Sequence, residues 1–482
     1  MRVILATSKR AIYIILFFLI SIFNSYAGPP KTNLDTGRKI SNFNDWLFEN
    51  GHMQYLEINE NYEECKNCNT WDAGPRCFEE SGKPKKQCVL DGDQSYGEGG
   101  YKWGENSKYK NNLDIKIYTD RGTEIPEKAR PNDDTLLFYA HDYIDDYKNN
   151  KRFLISPSIN PFKFESDLIE DRDVKKEITR KKSPLLSYLL FEDDKIIIDE
   201  ITPKDKFGIV FQNDTQWVSH SIGKSFVSYI TGHAICGGYI ESVDSQLNDW
   251  GAIKNTLYEE QKLIDILNMS SGDQNHVTER DGLKKSGRWF NSHSIKSFAE
   301  NELRGTKKSS KKYNYHGLNT NIIFNYVIHK TGDDFANLVN SIFQDKVKIE
   351  DEVWFVYTRN SLDARYTFFL TRYDYLRVAK AIMDDWQNDT CVGKYLKTIN
   401  ERKINKNKKE YKKTQIDNYT KSYGGQFHLN MVGGKKRNIL GMDGYGGQQI
   451  VIDLDNSKII VINSVHYGYN WNKIVHKKLK QK

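Results

Sequence analysis

The sequence predicts an α+β fold: an antiparallel sheet assembled from distant parts of the chain, flanked by helices and interrupted by a helical insertion. Three observations carry that expectation. Strand-like text stands at both ends of the second half of the chain, 185-LLSYLLFEDDKIIIDEIT-202 at one end and 448-QQIVIDL-454 with 458-KIIVINS-464 at the other. Between them, apolar residues recur at helical spacing. Ahead of them runs a cysteine-bearing stretch with no such order, read as an N-terminal extension.

The first element is a targeting signal. Lys9 and Arg10 precede the apolar run 11-AIYIILFFLISIF-23, and Ser25 and Ala27 supply small residues for cleavage after Ala27. The run is shorter than the roughly 20 residues that span a bilayer, and no cysteine follows it to accept a lipid. Residues 1–27 are therefore expected to be a signal peptide, with an uncleaved anchor helix as the competing reading. The protein is expected to be exported, periplasmic or secreted, with no membrane span after cleavage. Removing Arg2, Lys9 and Arg10 takes the formal charge from +7 to +4. So small an excess is no footprint of nucleic-acid binding, and 402-RKINKNKKEYKK-413 and 476-HKKLKQK-482 read as solvated surface.

Residues 28–182 read as an accessory region to which no chemistry is assigned. The segment 166-SDLIEDRDVKKEITRKKS-183 is densely charged, as a surface linker or exposed helix would be. Four of the six cysteines cluster as Cys65, Cys68, Cys77 and Cys88. In a cytosolic chain they would suggest a zinc knot; in an exported one they suggest two disulfides, with three pairings open. Cys236 and Cys391 stand alone. Cys236 lies on an apolar helical run and is expected to be a buried thiol, with pairing to Cys391 left open.

Residues 183–482 form the expected catalytic domain. The text of 185–202 makes two strands around an Asp193-Asp194 turn. In 217-WVSHSIGKSFVSYITGHAICGG-238, Ile222, Phe226, Ile230 and Ala234 recur every four residues, so a helix is expected, ending at Gly237-Gly238. Further helices are expected over 259–269, 317–332 and 373–386, then a hairpin with its turn at Asp455-Asn456.

The helix that follows 212-QNDTQWVSH-220 opens with Ser221, and Lys224 lies one turn on, on the same face. A helix N-terminus favours an alkoxide and an oxyanion. A lysine pressed into apolar surroundings has a lowered pKa and can act as base. Ser-x-x-Lys also occurs at Ser107-Lys110 and Ser309-Lys312, but in polar runs with no apolar helix to bury the lysine. An N-cap serine beside an exposed lysine is the competing reading for Ser221 itself. His220, adjacent to Ser221, points away from it and is expected at the surface or behind the site.

The order of elements downstream resembles the serine β-lactamase and penicillin-binding-protein superfamily, and within it the class C-related branch of 6-aminohexanoate-dimer hydrolases and carboxylesterases. Gly238, Ile240 and Asp244 match its G-x-I-x-x-x-D stretch, and Ile266 to Gly272 match its LLxMxSG turn. Its Tyr-x-Asn loop is matched by Tyr315, with Gly317 where the Asn would be, a departure common in esterases and amidases of the family. Its glycine-bearing edge strand is matched by 440-LGMDGYGGQQIVIDL-454, where Met442-Asp443-Gly444 stands in the place of Lys-Thr-Gly.

The resemblance implies a β-lactamase/transpeptidase-like serine hydrolase that works through an acyl-enzyme. Ser221 would be the nucleophile, Lys224 its base, and Tyr315 the proton carrier. The backbone N–H groups of Ser221 and Tyr445 would form the oxyanion hole. Gly444, Gly446, Gly447 and Gln448 would line the substrate strand. No metal or organic cofactor is implied. The substrate is expected to be a small ester or linear amide, since the cation that would anchor a β-lactam carboxylate is absent. A second class of function stays open: a catalytically silent relative that binds cell-envelope peptides or glycans. Oligomeric state is not legible.

Overall fold

The computed structural model describes residues 152–480 except for 181–182, 209–210, 274–293, 306–310, 358–362, 407–419, 432–436 and 466–471. It also describes two three-residue strands, β1 (Met53–Tyr55) and β2 (Tyr101–Trp103), which pair antiparallel. The expected signal peptide, the four-cysteine cluster, Ser107-Lys110 and Ser309 lie outside the described residues. Among the described residues no helix is long and apolar enough to cross a membrane.

The chain then runs through β3 (Arg152–Ile155), β4 (Glu165–Ser166), α1 (Arg172–Thr179), β5 (Leu185–Glu192), β6 (Lys195–Ile201) and β7 (Trp217–Val218). Next come α2 (Ile222–Cys236), α3 (Leu263–Leu267), α4 (Gly317–Thr331), β8 (Val353–Tyr357), β9 (Ala364–Leu370), α5 (Arg372–Gln387) and α6 (Cys391–Glu401). It finishes with β10 (Ile404–Asn405), β11 (Thr420–Gly424), β12 (Phe427–Met431), β13 (Ile439–Gly444), β14 (Gln448–Asp453), β15 (Lys458–Ser464) and α7 (Asn472–Lys480).

The fold is α+β. A nine-stranded sheet has the order β10-β11-β12-β13-β14-β15-β5-β6-β4, and a four-stranded sheet the order β3-β8-β9-β7. The pairings within both are antiparallel except that of β4 with β6. Distant parts of the chain meet where β15 pairs with β5. The β5–β6 hairpin turns on Asp193 and Asp194, both at positive φ (48° and 64°), as a two-residue primed turn requires.

Both faces of the large sheet are covered, which explains why 448–464 reads as near-continuous apolar text and not as alternation. The cross-strand partners Ile450 and Val461, and Ile452 and Ile459, face the main core beneath α2 and α5. Val451 and Ile460, one residue out of step, face a second core with Val174 and Ile178 of α1 and Ile474, Val475 and Leu479 of α7. The composition boundary expected at 183 is therefore not a structural one. β3, β4 and α1, all N-terminal to it, are built into these sheets and cores. α1 shows so much charge because only Val174 and Ile178 are turned inward.

One expected helix is shorter than its text. The 259–269 segment is helical only over Leu263–Leu267, because the N–H groups of Leu263 and Ile264 are taken by Ser245 and Val243 of the preceding segment.

Cys236 is not a thiol. It closes a disulfide with Cys391, 155 residues away, with Cα atoms 5.9 Å apart. The bond joins the last residue of α2 to the first of α6. A cross-link spanning so long a loop removes much unfolded-state entropy. A Cys236→Ala/Cys391→Ala variant is expected to lose about 2–5 kcal/mol of unfolding free energy, read from urea unfolding beside the parent.

Candidate active site

The site is built on the turn from β7 into α2. Ser219 clips this turn to β9: its N–H donates to the Phe368 carbonyl and its Oγ accepts from the Phe368 N–H, each at 2.8 Å. His220 follows at φ 45°, a left-handed conformation uncommon outside glycine, and the chain doubles into the helix. Ser221 is the N-cap of α2 but its hydroxyl caps no backbone N–H. It accepts instead from Lys224 Nζ at 2.7 Å. Lys224 is 2% exposed, so the competing reading of a capping serine beside a solvated lysine does not hold.

Tyr315 comes from the extended segment ahead of α4, pinned where the Asn314 N–H donates to the Met269 carbonyl at 2.7 Å. Its ring centroid lies 4.9 Å from Lys224 Nζ, and its phenol is close enough to act electrostatically on Lys224 and Ser221. Tyr423 and His428 pack on its other sides, at 5.9 and 6.3 Å between ring centroids. Burial pushes the Tyr315 phenol up, and the neighbouring Lys224 only partly opposes it. It is a neutral phenol at rest.

Sequence reasoning missed Tyr366. It projects from β9, a strand not read from the sequence, with its ring centroid 3.9 Å from Lys224 Nζ and its phenol acting on that ammonium. Its position depends on two glycines. A Cβ on Gly223 would overlap the carbonyl oxygen of Tyr366, and a Cβ on Gly317 would stand 2.7 Å from its hydroxyl. Gly317, the departure from the family's Asn, is thus the one available signal. A missing side chain there implies that something else fills the space.

These phenols reverse one expectation. Burial alone pushes the Lys224 ammonium toward losing its proton, but Tyr315 and Tyr366 together outweigh it, and its pKa lies above the ordinary lysine value. His220 goes the other way. Burial, aided by Lys224, lowers it to about 3, so it is a neutral ring set edge-on against Tyr445, 5.7 Å between centroids.

The β13–β14 turn rests on this assembly. A Cβ on Gly444 would stand 2.6 Å from the Ser219 carbonyl oxygen, so the strand passes directly over the nucleophile turn. The Gly447 N–H donates to the Gly444 carbonyl at 3.1 Å across Tyr445 and Gly446, and Gly446 takes φ 83°, as the third position of a type II turn demands. Tyr445 is thereby carried to His220 and the start of α2. Gln448 is engaged elsewhere: its side chain is fully buried, donating to the Ser464 carbonyl at 2.5 Å and accepting from Asn463. Met442 is likewise in the core.

Among the remaining motif residues, Gly238 (φ 79°) follows the end of α2 and Ile240 is core. Asp244 is a surface carboxylate held at about 2 by hydrogen bonds from Arg402 and Lys262. Gln426 was also not anticipated. Buried at φ 68°, it accepts from Ser225 of α2 and Thr320 of α4 and donates to the Leu267 carbonyl of α3, tying three helices to one hairpin.

A solved structure described as a 6-aminohexanoate-dimer hydrolase from Bacillus anthracis matches 72% of this chain and 93% of its own, with a TM-score of 0.52 at 13% identity. The chain shares the fold of that structure. Weaker likenesses run to a Bacteroides dorei protein described as a β-lactamase (TM-score 0.49, 14% identity, 64% of this chain and 96% of that one). Another is a penicillin-binding protein from Bacillus halodurans (TM-score 0.46, 12% identity, 64% and 99%). No protein-family model matches the chain, and no curated protein matches it significantly in sequence. Within this fold, Ser221, Lys224, Tyr315 and the Gly444–Gly447 turn converge on one place, while the Gln448 side chain does not.

Because backbone and not a flexible side chain blocks a Cβ at Gly223, Gly223→Ala is expected to cost about 3 kcal/mol or more, measured by urea unfolding.

Proposed function

We propose that the protein is an exported serine hydrolase that cleaves a small ester or linear amide through an acyl-enzyme on Ser221. The observation that carries this reading is the 2.7 Å contact between a buried lysine ammonium and a serine hydroxyl that leaves its capping role unfilled at a helix N-terminus. The name of the Bacillus anthracis neighbour, a hydrolase of an amide dimer, supports the substrate class. Burial of Met442 in the core supports it too, since no cation is offered at that strand position to anchor a carboxylate. Export is supported by the apolar run 11–23 and by the Cys236–Cys391 disulfide, a bond at home in oxidising compartments.

In the resting site Ser221, Lys224 and Tyr315 all hold their protons. Catalysis begins when Lys224 gives one up to bulk water, a step favoured once substrate surrounds the amine with less polar groups. The amine then takes the Ser221 proton as the Oγ–carbon bond forms and the carbonyl electrons move to oxygen. That oxyanion lies at the positive end of α2, where the Ser221 and Tyr445 N–H groups would receive it. Tyr315 donates its proton to the departing oxygen or nitrogen and is reprotonated by Lys224 as the carbon–heteroatom bond breaks. Water attacks the acyl-serine, gives a proton to Lys224, and Ser221 leaves with it.

Intact-mass labelling with a fluorophosphonate tests the reading. A single adduct is expected, absent from Ser221→Ala and slowed about 10²- to 10⁴-fold in Lys224→Ala. No adduct on the parent would instead favour a silent binding module of the same fold. The pH dependence has a fixed sign. Lys224 must be deprotonated to act and its pKa is raised, so the labelling rate is expected to climb about tenfold per pH unit from neutral into the alkaline range. A plateau at pH 7 would contradict it.

A further inference from the structure

We infer that Tyr366 is a positioning residue of the Ser221–Lys224 pair, and that Gly317 is the clearing that admits it. An ammonium carries three N–H bonds and no acceptor. Lys224 Nζ meets three hydroxyl-bearing side chains: it donates to Ser221 Oγ at 2.7 Å and lies 4.9 and 3.9 Å from the ring centroids of Tyr315 and Tyr366. The first two come from the elements that carry the proposed chemistry. The third comes from a separate sheet and completes the set. The lysine stem is flexible and its head isotropic, so two contacts would leave Nζ free to swing about the line joining them. The third contact, with the Tyr366 ring 3.9 Å from the nitrogen, fixes it on Ser221 Oγ.

The sequence holds this arrangement from two sides. Gly223 lets the Tyr366 main chain approach the first turn of α2. Gly317 leaves a space in which an added Cβ would stand 2.7 Å from the Tyr366 hydroxyl oxygen and 3.1 and 3.3 Å from its ring carbons. Any side chain at 317 would push the phenol off Lys224. The groups facing Lys224 are Ser221 and His220 at the start of its own helix, Tyr315 ahead of α4, and Tyr366 from β9. Behind Tyr315 stand Tyr423 and His428, with Lys406 Nζ 2.7 Å from His428 Nδ1. Tyr366 thus stabilises the ammonium as well as placing it, and its removal should let the proton go sooner.

The catalytic consequence rests on the hydrolase reading, but the placement does not, so the deciding experiment reads Lys224 itself. The full chain, labelled with ¹³C at lysine Cε, is titrated by NMR, with the Lys224 signal identified by its loss in Lys224→Met. In Tyr366→Phe, which keeps the ring, the midpoint is expected to fall by about one pH unit. Gly317→Ala, which keeps the phenol but displaces it, is expected to produce a comparable fall. The double variant should fall no further, because both changes break one contact. Circular dichroism checks that each variant is folded, and if Gly317→Ala is not, Tyr366→Phe decides alone. A midpoint unmoved in folded Tyr366→Phe overturns the inference. The alkaline limb of fluorophosphonate labelling should shift by the same amount. If the titration moves while the parent takes no label, Tyr366 keeps its role and the hydrolase reading falls; if the parent labels and the titration is unmoved, the reverse holds.

Discussion

The site depends on keeping a charged amine inside a helix that is buried nearly all round. Most of α2 is buried, Lys224 with it, and the groups that face that ammonium are hydroxyls, not carboxylates. A carboxylate would bind the charge so tightly that the amine form would be out of reach; bare hydrocarbon would expel it. Phenols and a serine hydroxyl are intermediate. They satisfy the N–H bonds of the cation yet remain usable partners once the proton has left. The surrounding architecture can be understood as the means of bringing three such side chains, from three separate segments, to one nitrogen.

That convergence is achieved by leaving side chains out. Gly223, Gly317 and Gly444 each stand where a Cβ would meet another element of the site: the Tyr366 carbonyl, the Tyr366 hydroxyl and the Ser219 carbonyl. The two sheets therefore both close on the start of α2, β9 at Gly223 and the β13–β14 turn at Ser219. Gln426 does the complementary work: its backbone carbonyl accepts from Ser225 of α2, while its buried side chain serves Thr320 of α4 and the Leu267 carbonyl of α3. Close backbone approach and a shared polar hub together hold the geometry without any strand or helix being long.

What could be read from the sequence was what is local. The turn at Asp193-Asp194, the helix from Ser221 to Gly237 and the helix after Tyr315 each carry their signal within a dozen residues, and so does the Gly444–Gly447 turn. Tyr366 could not be read in this way, because its significance is created by vacancies at Gly223 and Gly317 on other elements. The direction of the Lys224 shift failed for a related reason. Burial was legible from the apolar helix, but the two phenols that outweigh it arrive from far along the chain. The Cys236–Cys391 bond spans 155 residues and has no local trace. The boundary at 183 followed charge density, yet α1 needs only Val174 and Ile178 to seat itself on the sheet, so a charged segment turned out to belong to the body.

The order of strands in the large sheet has a consequence for the timing of assembly. β5, formed early in the chain, lies between β6 and β15, and β15 is among the last segments described. Residues around 221, 315, 366 and 445 must all be present before the nitrogen has its oxygens and the nucleophile turn has its cover. Pairings of such high sequence separation close slowly, because loop entropy is lost before any contact repays it. During synthesis the chain can therefore form helices and hairpins while the reactive centre does not yet exist.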